Sequence, residues 1–176
     1  PHLFTDYKRM LAEMPQIVVP QQRAILDELA SSLAMALMSN GNLFRLIVCR
    51  MVNLSLEYGH CDASTLAYTY INFIVGEQRG DYALGLRFGQ LALTLLEKGF
   101  RSYKARVEVA YGSTILPWTQ PGRTGVPWVR RSVQSAQEAG DLTFACYNWY
   151  ILISLLLRSG ESLEEVQQEA GRALEF

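Results

Sequence analysis

Charge of neither sign prevails in this chain: 16 lysines and arginines oppose 17 aspartates and glutamates, a formal net charge of −1 over 176 residues. Without a cationic excess there is no sequence-independent pull on a phosphate backbone, so no nucleic-acid partner is expected. Histidine is scarce, with only His2 and His60, and metal chemistry has few ligands to draw on. No GxxxxGK[ST] phosphate loop, GxGxxG turn, HExxH, CxxC, GxSxG, HRD or DFG occurs. No catalytic residue, metal ligand or cofactor is therefore assigned, and this segment is expected not to be an enzyme.

Cysteine is sparse as well. Cys49, Cys61 and Cys146 lie far apart, and an odd number cannot complete a disulfide framework, which points to a reducing, cytoplasmic setting. The longest uncharged stretches, 29–44 and 142–157, have 16 residues each and carry Asn and Ser. A spanning helix needs about 20 mostly apolar residues, so no membrane segment is expected. There is no signal-peptide pattern, and the opening at Pro1 without a methionine suggests a fragment of something longer.

What is present is hydrophobic residue, 49% of the chain, punctuated by glycine at a steady interval. Gly59, Gly99 and Gly140 are spaced by 40 and 41; Gly41, Gly80, Gly122 and Gly160 by 39, 42 and 38. Glycine commonly supplies the left-handed residue that ends a helix. Interleaved, the two series cut the chain into pieces of one helix plus a turn, the mark of stacked helical hairpins. Asp62, Asp81 and Asp141 follow these glycines where a carboxylate can accept from unpaired N–H groups, and Ser162 with Glu165 has capping-box spacing. The pattern predicts helices near 5–14, 22–39, 43–58, 62–78, 81–98, 101–116, 126–139, 141–159 and 162–175.

Helix faces agree with this division. Leu84, Phe88, Leu91 and Leu95 form one apolar stripe at helical period, and Leu163, Val166, Ala170 and Leu174 another. The segments 63–76, 109–122 and 142–157 contain no charge, so alternate helices are expected to be buried nearly all round, covered by an outer row that faces water. Gly85, Gly89 and Ala92 place small residues where a partner helix can approach closely. Each mid-helix glycine costs about 0.8–1 kcal/mol relative to alanine, and close packing is the expected compensation.

The expected fold is all-α: tetratricopeptide-like hairpins of about 40 residues, stacked as a right-handed solenoid. The hairpins are placed at 22–58, 62–98, 101–139 and 141–176, after a partial repeat in 1–20. The spacing Gly80-Asp81-Tyr82 followed by small residues resembles the tetratricopeptide pattern, with Gly85 and Gly89 departing from its usual residues and a period longer than 34.

Two groups of residues stand out as candidate binding positions. Trp118, Arg123, Trp128, Arg130 and Arg131 gather aromatic and guanidinium groups around the proline-rich segment 117–127; they read either as a partner-contact edge or as a loop whose tryptophans fill a groove. Tyr68, Tyr70, Tyr147, Trp149 and Tyr150 could line an effector pocket, although core packing is the plainer reading for the last three. Cys146 reads as an apolar filler rather than a reactive thiol. His60-Cys61-Asp62 reads as an interhelix turn in which Asp62 caps, rather than as a metal cluster.

Longer phrases carry a family resemblance. Met51-Val-Asn-Leu-Ser-Leu-Glu-Tyr-Gly59, Gly80-Asp-Tyr with Arg87-Phe-Gly-Gln-Leu-Ala-Leu93, Ala136-Gln-Glu-Ala-Gly-Asp-Leu-Thr-Phe-Ala145 and Ser162-Leu-Glu-Glu-Val166 are similar to the helical middle region of large bacterial signalling proteins. Those proteins join a serine/threonine kinase-like domain, an AAA- or STAND-type ATPase, this helical region, a GAF domain and a sensor histidine kinase. The resemblance covers roughly 40–176. It implies a noncatalytic interaction or regulatory module whose partner is a protein or the neighbouring ATPase and kinase domains. Separately, cutting a repeat array exposes apolar faces, so self-association through exposed repeat ends is expected of the isolated piece. A small-molecule sensing domain is the alternative; an all-helical enzyme or an RNA-binding solenoid has less in its favour.

Overall fold

The computed structural model describes residues 13–176, and these are helical throughout save for turns and one isolated parallel bridge between Gln16 and His60. All but the last two residues of the helix expected over 5–14, and with them most of the partial repeat in 1–20, lie outside the described residues. The chain divides into two compact units, one ending at Tyr103 and the other spanning Lys104–Phe176.

In the first unit, α1 (Pro20–Ser39) opens on a proline, whose missing N–H is one that the first turn leaves unpaired anyway. Asn40 ends α1 and caps α2 (Gly41–Tyr58), its side-chain oxygen accepting from the N–H groups of Asn42 at 3.0 Å and Leu43 at 3.1 Å. Gly41 is therefore the first residue of a helix, where the glycine series had suggested a stop. Gly59 does end α2, with φ of 105°, and a Cβ there would run into the Pro15 carbonyl oxygen. That closeness lets His60 N–H donate to Pro15 O, and Ile17 N–H to His60 O, both at 2.9 Å.

The expected helix over 62–78 is two pieces, α3 (Asp62–Tyr70) and α4 (Asn72–Val75). The interruption is slight, since Ile71 keeps helical dihedrals and its N–H still donates to Ala67 O at 3.0 Å. The Asn72 side chain is buried so tightly against Gly76 and against Gly85 of α5 (Tyr82–Glu97) that a Cβ on either glycine would overlap its amide. Glycine at 85 is thus required by its neighbour, as the expected close approach demanded. Asp81 caps α5 through Leu84 N–H at 2.9 Å. Asp62, by contrast, does not cap its own helix: Cys61 holds that place, donating its N–H to Ser64 Oγ at 3.1 Å, while the Asp62 carboxylate accepts from Ser102 N–H at 2.8 Å. α3 touches α1, α2 and α5 and is buried nearly all round. Its Tyr68 stacks on Phe88 at 5.9 Å and meets the His60 ring edge-on at 5.6 Å.

In the second unit, the helix expected over 101–116 begins at Lys104 and loosens after Ala110. α6 (Lys104–Ala110) passes into a π turn (Tyr111–Ile115) and a 3₁₀ turn (Leu116–Trp118); a further 3₁₀ turn, Gly122–Gly125, leads into α7 (Val126–Glu138). Two glycines explain the departure. A Cβ on Gly125 would overlap the Gly112 carbonyl, and one on Gly112 would meet Gly125 O at 2.7 Å and Trp128 Cβ at 2.8 Å. Backbone lies on backbone here, and Gly122 starts a 3₁₀ turn instead of stopping a helix. α8 (Leu142–Ser159) ends at a left-handed Gly160, φ 73°, and α9 (Leu163–Glu175) is capped by Ser162 Oγ accepting from Glu165 N–H at 3.2 Å. Val109, Val126, Val129, Val133, Leu152, Leu155, Leu156 and Val166 form the core between these helices. α8 touches α6, α7 and α9. No helix among the described residues is long and apolar enough to cross a membrane.

Candidate functional site

The exposed face of α8 is the feature that the burial pattern did not anticipate. Its uncharged run was expected to be buried nearly all round, yet only one stripe, carrying Ala145, Asn148, Leu152, Leu155 and Leu156, is turned inward. Thr143, Cys146, Tyr147 and Tyr150 follow the i, i+3, i+4, i+7 spacing of a single helix face, and together they line a shallow, open depression of about 660 Å³. Tyr147 is 51% exposed and Tyr150 70% exposed, so neither packs in the core as the plainer reading held. Cys146 is exposed and is not an apolar filler. An absence of charge cannot by itself distinguish a buried helix from one that shows water an apolar stripe.

The start of α8 is firmly held. Asp141 accepts from Phe144 N–H at 3.2 Å and from Arg106 Nη2 at 3.0 Å, and the same guanidinium lies 3.8 Å above the Phe144 ring. Phe144 in turn sits 6.0 Å from the Tyr147 ring. Trp149 faces the core instead, and among the described residues its buried indole N–H has no hydrogen-bond partner. Of the other two tyrosines, both in the first unit, Tyr68 is wholly buried and Tyr70 packs its ring against Phe44 at 5.7 Å.

The arginines and tryptophans around 117–131 divide into two kinds. Trp118 and Arg123 are exposed. Trp128 is half-buried, its ring edge-on to Tyr111 at 4.9 Å and covered by the Arg131 guanidinium at 5.0 Å. Arg130 is engaged internally, tying α7 to α9 through Glu165 at 3.1 Å and the buried Glu169 at 2.9 Å.

One group that sequence reasoning passed over is Glu108. It lies on α6 between Val107 and Val109, only 2% exposed, and accepts from Ser135 Oγ of α7 at 2.7 Å. Burial pushes its carboxyl above the usual range, against the pull of the Ser135 hydrogen bond and of the Lys104 charge. The signal in the sequence was a single acidic residue flanked by valines at the start of the uncharged run 109–122. Among the described residues no three His, Cys, Asp or Glu side chains are grouped to hold a metal ion. His60 and Cys61 are core residues, and burial raises the Cys61 thiol.

No family model and no solved structure matches the chain. It is 29% identical over 134 residues to the hybrid signal transduction histidine kinase G of Dictyostelium discoideum, a match that takes in 74% of this chain and 4% of that protein. The relative is a large eukaryotic protein, so the likeness supports a link to multidomain signalling proteins without the bacterial restriction of the sequence resemblance. The chain is an all-α segment, weakly similar to a short stretch of one such protein.

Proposed function

We propose that this chain is a noncatalytic helical-repeat module, its hairpins stacked as a right-handed solenoid, that regulates a larger cytoplasmic signal-transduction protein by contact with a protein partner or with adjoining ATPase or kinase domains. The observation that carries the reading is the likeness to a 134-residue stretch making up 4% of a hybrid signal transduction histidine kinase. The order of contacts supports the stacking, since α3 touches both α1 and α2, and α8 touches both α6 and α7, as successive repeats do. The contact surface in this reading is the open face of α8 around Tyr147 and Tyr150, with Trp118 and Arg123 as a second edge.

The test uses the full-length protein that carries this segment. Tyr147→Ser with Tyr150→Ser leaves the helical circular dichroism unchanged, because both rings are exposed, and is expected to change phosphotransfer output at least severalfold. Unchanged output from this variant and from Trp118→Ala with Arg123→Ala would overturn the regulatory reading. The depression on α8 also favours a second reading, in which a small effector lodges there. A thermal shift with a nucleotide, sugar or other metabolite that Tyr150→Ser abolishes would select that reading over protein contact.

A further inference from the structure

We propose that Glu108 is a proton-operated latch between α6 and α7, carried in the folded chain as the neutral acid and loosening that helix pair when it ionises. The geometry argues for this independently of the functional reading. Both carboxyl oxygens are withdrawn from water, and the one short contact, Ser135 Oγ at 2.7 Å, comes from a neutral hydroxyl. The nearest cation, Lys104 Nζ, stands 3.9 Å away and is 41% exposed, so water screens much of its charge. A buried carboxylate needs a desolvated counter-charge or several donors; lacking these, it is more stable protonated.

The other charged and titratable groups leave this balance intact. From α7, Arg131 lowers the carboxyl and Glu138 raises it, and both effects rank below burial. Arg131 also lies over the Trp128 ring, and Glu138 accepts from Gln134. Arg106, on α6 itself, is bound to Asp141 at the start of α8. The π turn contributes Tyr111, whose ring lies against Trp128. On α8, Cys146, Tyr147 and Tyr150 belong to the exposed face, and Arg158 sits at the far end. Position matters as well: Glu108 lies three residues before the π turn, where the helix has already left its regular hydrogen-bond ladder. Ionisation there acts on the pair of helices that flanks the Gly112–Gly125 crossing.

The experiment is a pair of measurements on the whole chain. In the first, carbon-detected NMR follows the Glu108 carboxyl through a pH titration. It is expected to titrate above the ordinary glutamate range; titration within that range would overturn the proposal, whatever any variant does. In the second, urea unfolding of wild type and Glu108→Gln is compared from pH 4 to pH 8. The glutamine is neutral at every pH, so the two chains should converge in acid and separate as pH rises, with the wild type losing about tenfold in its folding equilibrium for each unit by which the carboxyl is displaced. Amide exchange in α6 and α7 should quicken relative to Glu108→Gln over the same interval. Parallel stability profiles would show that the carboxyl ionises without consequence and would sink the latch.

Discussion

At the scale of single residues, glycine carries the clearest information. Five glycines, Gly59, Gly80, Gly99, Gly140 and Gly160, have positive φ, and all five belong to the series whose spacing suggested helix ends. Gly85, Gly112 and Gly125 serve a different purpose, the admission of a neighbour. The distinction is measurable. Gly125→Ala places a methyl on the Gly112 carbonyl, a backbone atom that cannot swing aside, and should destabilise the second unit by about 1–3 kcal/mol. Gly171, on α9, has nothing within 4 Å of its prospective Cβ. Gly171→Ala should therefore stabilise by up to about 1 kcal/mol. Chemical denaturation of the two variants checks both; equal effects would remove the packing explanation.

Among elements, most caps were legible, Asp62 being misread, and the interruptions were not. Asn40, Asp81, Asp141 and Ser162 all accept from the first-turn N–H groups of their helices; three of these were readable because a capping bond spans only three residues. The breaks at Ile71 and after Ala110 lie beside the close approaches of Asn72 to Gly85 and of Gly112 to Gly125, contacts between residues 13 apart in each case. Arg130 is similar: sequence marked it as an interface arginine, while the fold uses it between α7 and α9. Arg130→Ala leaves the buried Glu169 with Arg172 at 3.3 Å and should cost about 1.5–3 kcal/mol, clearly more than Arg172→Ala. Thermal unfolding of the two single variants tests that order, and an equal loss would contradict it.

At the scale of the molecule, the shifts at Tyr58, Cys61, Glu77, Glu108 and Tyr111 point one way. Burial raises Glu77 and Glu108 above the ordinary 4.5, Cys61 above 9.0 and Tyr111 above 10.0. Tyr58 is raised chiefly by its hydrogen bond to Glu57. In every case the folded chain holds a proton that the unfolded chain releases sooner, so each contribution is whole below the unfolded value and is lost as pH rises through the folded one. Stability should consequently step down twice: once above about pH 4.5, from the glutamates, and again above about pH 9, from the thiol and phenols. Denaturation midpoints from pH 4 to pH 11 check this. Cys61→Ser and Tyr111→Phe should each reduce the alkaline step, and a step unchanged in both would refute the assignment.

Helical content, most helix ends and the lack of known catalytic motifs could be read along the chain, because periodicity, capping and glycine stops act over a few residues. The three-dimensional arrangement decided the rest. It split 62–78, unwound 111–115, buried Glu108 and left Tyr147 and Tyr150 open to water. The physical reason is shared: a run of apolar residues states that a face can be buried, but whether another helix comes to cover it is settled by residues far away in the chain.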